Sequence, residues 1–598
     1  MERKNGKATI MIAMLLMMTL MATLPTVKAG GTIYIRADGS IDPSNAPIST
    51  VDNVTYTFTG DINDDSIVIE RDNIVVDGAG YTLQGTPEPY GRTKGIDVAG
   101  RSNVTIKNTN IQNYFSGIWL DSSSNNSISG NNITANNVYG IGYVPSIYLG
   151  ASSGNSISGN KIANNWFGIY LNSSSNFNTI SGNNITENNA YAITLDSSSN
   201  YNSISGNNIT NNRLFGIYLI YSSNFNSISG NKITNNDDGV ALSYSSGNSI
   251  SGNNITANNG NGIVFVEDSR NNSISGNNIA NNHYEGIILY LSSNNIVSGN
   301  DITANNWKGI LLITSSNNSI SGNNITASYN YGIWFESSSN YNRVFHNNIN
   351  NTNQVYSSDS VNVWDDGYPS GGNYWSDYNG VDEKKGLNQD ESGSDGIGDT
   401  PYVIDETNQD RYPLMNPWTP PPTYDVAITS IARSKTVVGQ GYSLNINVTA
   451  ANQGDYPETF NVTVYANTTS IETKEVTLPI GNSTTITFIW NTTGFAKGNY
   501  TISAYAEPVP PGEADTEDNT FIDGDVFVSI PGDVNGDKKV NILDCILIAN
   551  HFGHVNGDGH TPGSKEWFDC ANCDINSDTK TNVLDCIVLS NKFGQSWT

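Results

Sequence analysis

The chain has 598 residues, enough for several domains, and only 14% of them are charged; Lys and Arg number 28 against 56 Asp and Glu, for a net charge of −28. That balance argues against nucleic acid or an anionic membrane as partner and favours calcium and a solvated surface. A charged content of 14% is also low for a globular protein.

Residues 1–29 open with Arg3, Lys4 and Lys7, run apolar from Ala8 to Leu24 and close in Val27-Lys28-Ala29. This is the pattern of a secretory signal peptide with cleavage after Ala29. No later apolar run is long enough to span a bilayer, so the expectation is a secreted or cell-surface protein.

Residues 30–350 are read as a parallel β-helix. Between Ile128 and Val344 the chain returns nine times to a sentence close to Asn-Ser-Ile-Ser-Gly-Asn-Asn-Ile-Thr, and eight of the nine steps are 22 to 24 residues. Two helices and a turn need about 33 residues, whereas this period fits one circuit of three short strands. Each segment is too short to fold alone but pairs with its copy one coil away. Ile128, Ile157, Ile180 and Ile204 begin one inward column and Ile133, Ile162, Ile185 and Ile209 a second. A recurring Asn, from Asn131 to Asn347, is read as structural: Asn tolerates a left-handed corner and stacked amides bond along the axis. The long step of 29 residues, Ile128 to Ile157, carries a surplus near Val138–Gly142 that predicts a loop or an extra strand. Earlier segments, Ile67-Val68-Ile69 and Ile74-Val75-Val76, read as atypical capping coils. Asn-x-Ser/Thr triplets at Asn132, Asn184, Asn208 and Asn254 are either glycan acceptors or a by-product of the repeat.

Residues 351–415 are aromatic and acidic. Trp364, Trp375, Tyr374 and Tyr402 are expected to cover the open end of the helix, with Asp390, Asp395 and Asp399 as candidate calcium ligands. A Pro-rich linker spans 416–423. From 424 to 530, alternating segments such as Leu444–Val448 and Ile486–Trp490 among Gly, Asn and Pro turns predict an antiparallel β-sandwich.

In the tail, 531–598, Asp533, Asn535, Asp537, Asn541 and Asp544 occupy positions 1, 3, 5, 9 and 12 of a twelve-residue calcium loop, with the Lys539 carbonyl at position 7. Forty-one residues later Asp574, Asn576, Asp578, Lys580, Asn582 and Asp585 repeat the spacing. Lys538 and Thr579 stand at position 6 where glycine is usual, and Thr581 replaces an aliphatic at position 8; both departures point to weaker calcium binding, more so in the second loop. All four cysteines, Cys545, Cys570, Cys573 and Cys586, lie here. Two disulfides in any of three pairings are expected, with a Cys₄ zinc site as the alternative.

Three family resemblances rest on these residues. Through Ser66-Ile67-Val68-Ile69, Asp77-Gly78-Ala79-Gly80 and the Gly-Ile and Ser-Gly-Asn-Asn repeats, residues 60 to about 415 resemble the NosD-like right-handed β-helix family of secreted carbohydrate-associated proteins. Asn373–Tyr378 and Gly398–Tyr402 resemble the end of such domains in archaeal surface proteins. Asp425-Val426-Ala427, Asn452-Gln453-Gly454, Gly498-Asn499-Tyr500 and Glu517-Asp518-Asn519 resemble a CARDB adhesion-type domain. The twin loops, each running into an apolar helix that closes near Phe-Gly, resemble a dockerin, which implies calcium and a cohesin-type partner. The copper association of the NosD name is not carried over: copper needs His, Met or Cys, and the region holds only His283, His346 and Met415.

Two functions follow. The first is a surface or scaffold-attached protein whose β-helix binds carbohydrate or protein along a stripe of Trp119, Tyr170, Tyr218 and Trp334, outward on the Gly-Ile strands. The second is a polysaccharide lyase or glycoside hydrolase, for which Asp238 and Glu285, two coils apart in the column before those strands, are the available carboxylates. No recognisable catalytic constellation accompanies them, and scattered solvent-facing charge is the competing reading.

Overall fold

The computed structural model describes residues 31–86, 93–137, 144–421, 423–510, 512–513, 515–555 and 564–597. The proposed signal segment 1–29 and the surplus at Val138–Gly142 lie outside the described residues. The chain divides into two compact units, 1–419 and 420–598.

The first unit is a parallel β-helix of about 13 turns, with strands stacked in three sheets of 15, 14 and 14 strands. One coil shows the logic. Ser203–Ser205 turns at Gly206 into Asn208–Thr210, and the chain then crosses to Ile217–Ile220. Each central residue pairs in register with its copy one coil on: Ile204 with Ile228, Ile209 with Ile233, Ile217 with Val240. The inward residues are fully buried from Ile33 to Ile349. A three-residue strand buries one aliphatic group, and only the stack makes a core of them. Antiparallel partners at the N-terminal end, Ile41–Asp42 and Ile48–Ser49, stop both sheets they join.

The corners contain three amide ladders where the sequence suggested one. Asn131, Asn160 and Asn183 form the expected column, with Asn131 Nδ2 donating to Asn160 Oδ1 at 3.0 Å. Two more run beside it, from Asn126 through Asn155 and from Asn136 through Asn165. The left-handed residue at the first corner is the glycine before the ladder, Gly206 at φ +62°, and not Asn207 as expected. The amides therefore serve hydrogen bonding, while the glycine makes the bend.

The C-terminal end closes as the aromatic residues suggested. Trp364 and Trp375 are buried; Trp364 packs edge-on to Phe335 with centroids 5.5 Å apart, and Tyr402 stacks on Trp375 at 4.2 Å. Trp375 Nε1 and the Asn373 amide both donate to Asp410, at 2.9 and 2.7 Å. The linker begins later than its prolines imply, because Trp418 stacks on His346 at 5.1 Å and its amide donates to Asn348 Oδ1 at 2.7 Å.

The second unit opens with a sandwich. A three-stranded sheet of Val426–Arg433, Ser443–Asn452 and Ser483–Asn491 faces a five-stranded sheet that includes Glu458–Ala466, Gly498–Ala506 and Thr520–Ser529. Ile446, Val448, Phe488, Trp490, Val462 and Val526 are among the side chains that fill the space between them. The tail adds helices α1 (Ile542–Asn550), α2 (Lys565–Asn572) and α3 (Val583–Ser590).

Candidate functional site

Two regions hold the chemistry, one on the β-helix and one in the tail. On the β-helix the outward residues of the Gly-Ile strands form a continuous stripe. Trp119 stacks on Tyr148 with centroids 3.9 Å apart, and Tyr148 on Tyr170 at 6.2 Å. At the other end Trp334 stacks on Tyr356 at 4.0 Å. Tyr148 is absent from the sequence reading because its strand, Pro145–Gly150, carries Ser146-Ile147 in place of Gly-Ile. Between the aromatic ends the stripe is Thr194, Ala241, Val264 and Leu311, all buried, with Tyr218 and Ile288 among them partly buried.

Beside this stripe lies a carboxyl that the repeat pattern did not single out. Tyr170 donates its hydroxyl to Asp196 Oδ2, and burial pushes the Asp196 carboxyl above the ordinary carboxylate range. Burial also raises the phenols of Tyr148, Tyr218 and Tyr221. Ser243 Oγ donates to Glu267 Oε2 at 2.7 Å on the same side. Rings flanked by hydroxyl and carboxyl groups suit a polyhydroxylated ligand.

Asp238 and Glu285 are not scattered solvent-facing charges, as one reading had them. They are 6% and 5% exposed and belong to a bonded polar ladder. Asn261 N and Nδ2 donate to Asp238 Oδ1 at 2.6 and 2.8 Å, Asn261 Oδ1 accepts the Glu285 amide at 3.2 Å, and Lys308 Nζ reaches Glu285 Oε1 at 3.3 Å. Lys308 also lies over the Trp307 and Trp334 rings. A carboxylate so engaged is a poor match for a freely placed acid or base.

A second aromatic ladder was also missed. Phe177, Tyr201 and Phe225 stack at 5.2 and 5.3 Å, are more than half exposed, and hold φ near +56°. Bulky side chains are rare in left-handed backbone. The only sequence signal is an aromatic two residues before each ladder-forming Thr or Ser of the next strand.

In the tail the two loops repeat one another's main hydrogen bonds. Asp533 Oδ1 accepts the Asp537 amide at 3.1 Å and Oδ2 the Lys538 amide at 2.9 Å; Asp574 accepts Asp578 and Thr579, each at 3.0 Å. Asp544 Oδ1 takes the Val534 amide at 2.9 Å, Asp585 the Ile575 amide at 2.7 Å. Asn541 and Asp544 form the capping box of α1, and Asn582 and Asp585 that of α3. Lys538 and Thr579 are left-handed, at φ +69° and +77°, so the backbone keeps the bend that glycine usually provides at position 6.

Among the described residues no three His, Cys, Asp or Glu side chains converge as a ready-made metal cluster. In the loops the donor set nonetheless fits a hard divalent cation: each supplies only oxygen, from three Asp, two Asn and a backbone carbonyl. Burial pushes Asp533, Asp544 and Asp585 above the ordinary carboxylate range, a condition that a bound cation relieves. Calcium would be held by Asp533, Asn535, Asp537, the Lys539 carbonyl, Asn541 and Asp544, and by their counterparts in the second loop.

The cap carboxylates are not gathered in this way. Asp395 takes the Gly386 and Ile397 amides, Asp399 takes the Glu383 and Lys384 amides, and Asp390 is exposed. Asp395 and Asp399 thus each support a turn, and among the described residues the three carboxylates form no common metal cluster. The expected disulfides are likewise not present: all four cysteines are thiols. Cys573 Sγ donates within α2 to the Asp569 carbonyl at 3.1 Å, while Cys545 and Cys586 line a groove between α1 and α3. His283 packs against Tyr284 and His346 against Trp418, and no copper site is evident among the described residues.

The architecture defines a β-helix protein with a sandwich and a paired-loop tail. A family model described as periplasmic copper-binding protein (NosD) matches residues 66–258 and 217–380, and the chain belongs to that family. A CARDB model matches 423–521 and a dockerin type I domain model 531–594. Among solved structures, the periplasmic alginate epimerase AlgG is similar at 16% identity over 53% of this chain and 78% of that one, with a TM-score of 0.32. The A-module of mannuronan C-5 epimerase AlgE6 from Azotobacter vinelandii is 16% identical over 56% and 91%, TM-score 0.29. A CARDB domain from Pyrococcus furiosus, in complex with di-metal ions, is 25% identical over 19% and 99%, TM-score 0.17. No curated protein matches. The matched families and the fold fit a cell-surface or scaffold-attached protein, and among the described residues no helix is long and apolar enough to cross a membrane.

Proposed function

We propose that this protein is a secreted surface component whose tail docks to a cohesin-type module in the presence of calcium, and whose β-helix holds a carbohydrate along the Gly-Ile face. The observation that supports docking most strongly is a duplicated apolar surface. Ile542, Leu543, Ile546 and Phe552 on and just beyond α1 are about half exposed or more, and Val583, Leu584, Ile587 and Phe593 repeat them at α3. Two matching patches of exposed apolar side chains are the kind of surface that a partner would cover. Each patch begins within the last three positions of a calcium loop, whose final carboxylate sits in the helix capping box, so cation binding would fix the helix that carries it.

The test is retention of the full chain on an immobilised panel of cohesin modules. Retention in calcium, release by chelator, and loss in Leu543→Glu/Leu584→Glu with calcium binding intact are expected. Retention unchanged by both treatments overturns the reading. For the β-helix, retention on polysaccharides should fall when Trp119 and Tyr148 are replaced by Ala.

A polysaccharide-cleaving enzyme is the second reading, favoured by Asp196, a buried carboxyl of raised pKa held by a tyrosine hydroxyl on the same face. Asp196→Asn would abolish depolymerase activity in that case, whereas Asp238→Asn with Glu285→Gln would alter stability first.

A further inference from the structure

Lys435 lies between the sandwich strands Val426–Arg433 and Val437–Gly439, and its side chain is only 3% exposed. Lysine is almost never buried unless paired. Its partners belong to the second loop of the tail. Nζ donates to the Asp574 carbonyl and, at 3.0 Å, to Ser577 Oγ; it stands 3.8 Å from Asp574 Oδ2, on a side chain 1% exposed.

The contact is built from both sides. The amides of Thr436 and Val437 donate to Asn572 Oδ1 at 3.0 and 3.1 Å, and Asn572 Nδ2 returns a bond to Thr436 Oγ1 at 3.0 Å. Ser577 Oγ donates to the Ser443 carbonyl at 2.5 Å. The first loop also meets the sandwich, but its position-1 carboxylate, Asp533, receives a neutral hydroxyl from Ser529. Two loops that share their main internal hydrogen bonds therefore differ in what faces the first ligand: of the two, the second has an ammonium beside it.

We propose that Lys435 is a built-in counter-cation of the second loop, balancing Asp574 when calcium is absent and opposing calcium when it arrives. The inference rests on the reading of the loops as calcium sites. Calcium there would share a poorly solvated space with a fixed positive charge a few ångströms away, and such repulsion is large enough to change affinity by about tenfold or more. The second loop thus becomes the weaker site, and its occupancy is coupled to the seating of the sandwich on the tail. Calcium filling is then sequential, first loop before second.

Calcium titration of the full chain by calorimetry tests this, with the second-loop event identified by its disappearance in Asp578→Ala. Lys435→Met is expected to tighten the second site by about tenfold or more and leave the first unchanged, which also shows that the variant is folded. Lys435→Arg, which keeps the charge, should bind like the unaltered chain. A second site in Lys435→Met that is unchanged or weaker overturns the proposal while the calcium reading stands. Absence of binding at both loops in the unaltered chain overturns the calcium reading and the proposal with it.

Discussion

Asn207 donates its Nδ2 to Asn231 Oδ1 at 2.9 Å, one coil further along the helix. The same amide reaches the Ile180 and Ser205 carbonyls at 2.9 and 3.1 Å, and its Oδ1 accepts the Asn183 amide at 2.9 Å. Removing it strands buried backbone groups on two coils. Asn207→Ala should cost about 2–4 kcal/mol, and Asn207→Asp more, because an acceptor-only carboxylate would face two carbonyls. Its neighbour Asn208, on the outer face of the strand, supplies the control: Asn208→Ala should change stability by less than about 0.5 kcal/mol. Urea denaturation followed by far-ultraviolet circular dichroism measures all three; equal midpoints for Asn207→Ala and Asn208→Ala would remove the ladder's structural role.

The repeat uses glycine for two different reasons. A Cβ on Gly262 would lie 2.5 Å from the Gly286 carbonyl oxygen and 2.5 Å from Ile279 Cγ2, so that glycine permits close approach of adjacent coils. A Cβ on Gly252, at φ +62°, would meet nothing within 4 Å, and this glycine serves the bend alone. Gly262→Ala should therefore lose about 1–3 kcal/mol through steric overlap, while Gly252→Ala loses about 1 kcal/mol from left-handed strain. Ala257 already adopts φ +55°, which sets the smaller figure in context. A reversed order of thermal midpoints would contradict the distinction.

Burial raises the Asp410 carboxyl from 3.8 to about 7. The native cap therefore holds a proton that the unfolded chain gives up near pH 4, and the stability linked to it is complete below that value and lost as pH rises through 7. Amide exchange at Asn373 and Tyr412, whose N–H groups donate to Asp410 at 2.7 and 3.0 Å, should show protection falling between pH 5 and 8 after correction for intrinsic rates. Asp410→Asn should flatten that slope; a slope of the same size in the variant would assign it elsewhere.

Two threonines are expected to weaken the second loop's hold on calcium. Thr579 is β-branched yet left-handed, and the Thr581 hydroxyl is buried without a hydrogen-bond partner where the first loop has buried Val540. Thr579→Gly should relieve about 1 kcal/mol of strain, and Thr581→Val about 1 kcal/mol of desolvation. Each is expected to raise second-loop calcium affinity severalfold in a calorimetric titration, and no change in either variant would count against loop strain as the cause of weaker binding.

Periodicity made the β-helix legible, since an inward aliphatic recurring every 22 to 24 residues leaves little else for the chain to build. The same regularity hid what depends on side-chain neighbours. Nothing in the repeat marks Asn126 and Asn136 as ladder residues or Asp196 as the acceptor of the Tyr170 hydroxyl. Asp238 and Glu285 were visible as a column, but their burial was not, because Asn261 and Lys308 pair with them only across coils. The calcium loops were readable from spacing because a local loop gathers its own ligands. Lys435 was not, because it reaches the second loop from 139 residues upstream of Asp574.

Calcium-dependent attachment stands or falls on the loops, and native mass spectrometry of the full chain titrated with calcium addresses it directly. Two ions per chain are expected, with one lost in Asp533→Ala and the other in Asp574→Ala. A chain that binds no calcium at millimolar concentration, or that still binds two ions in both variants, would contradict a calcium-held tail.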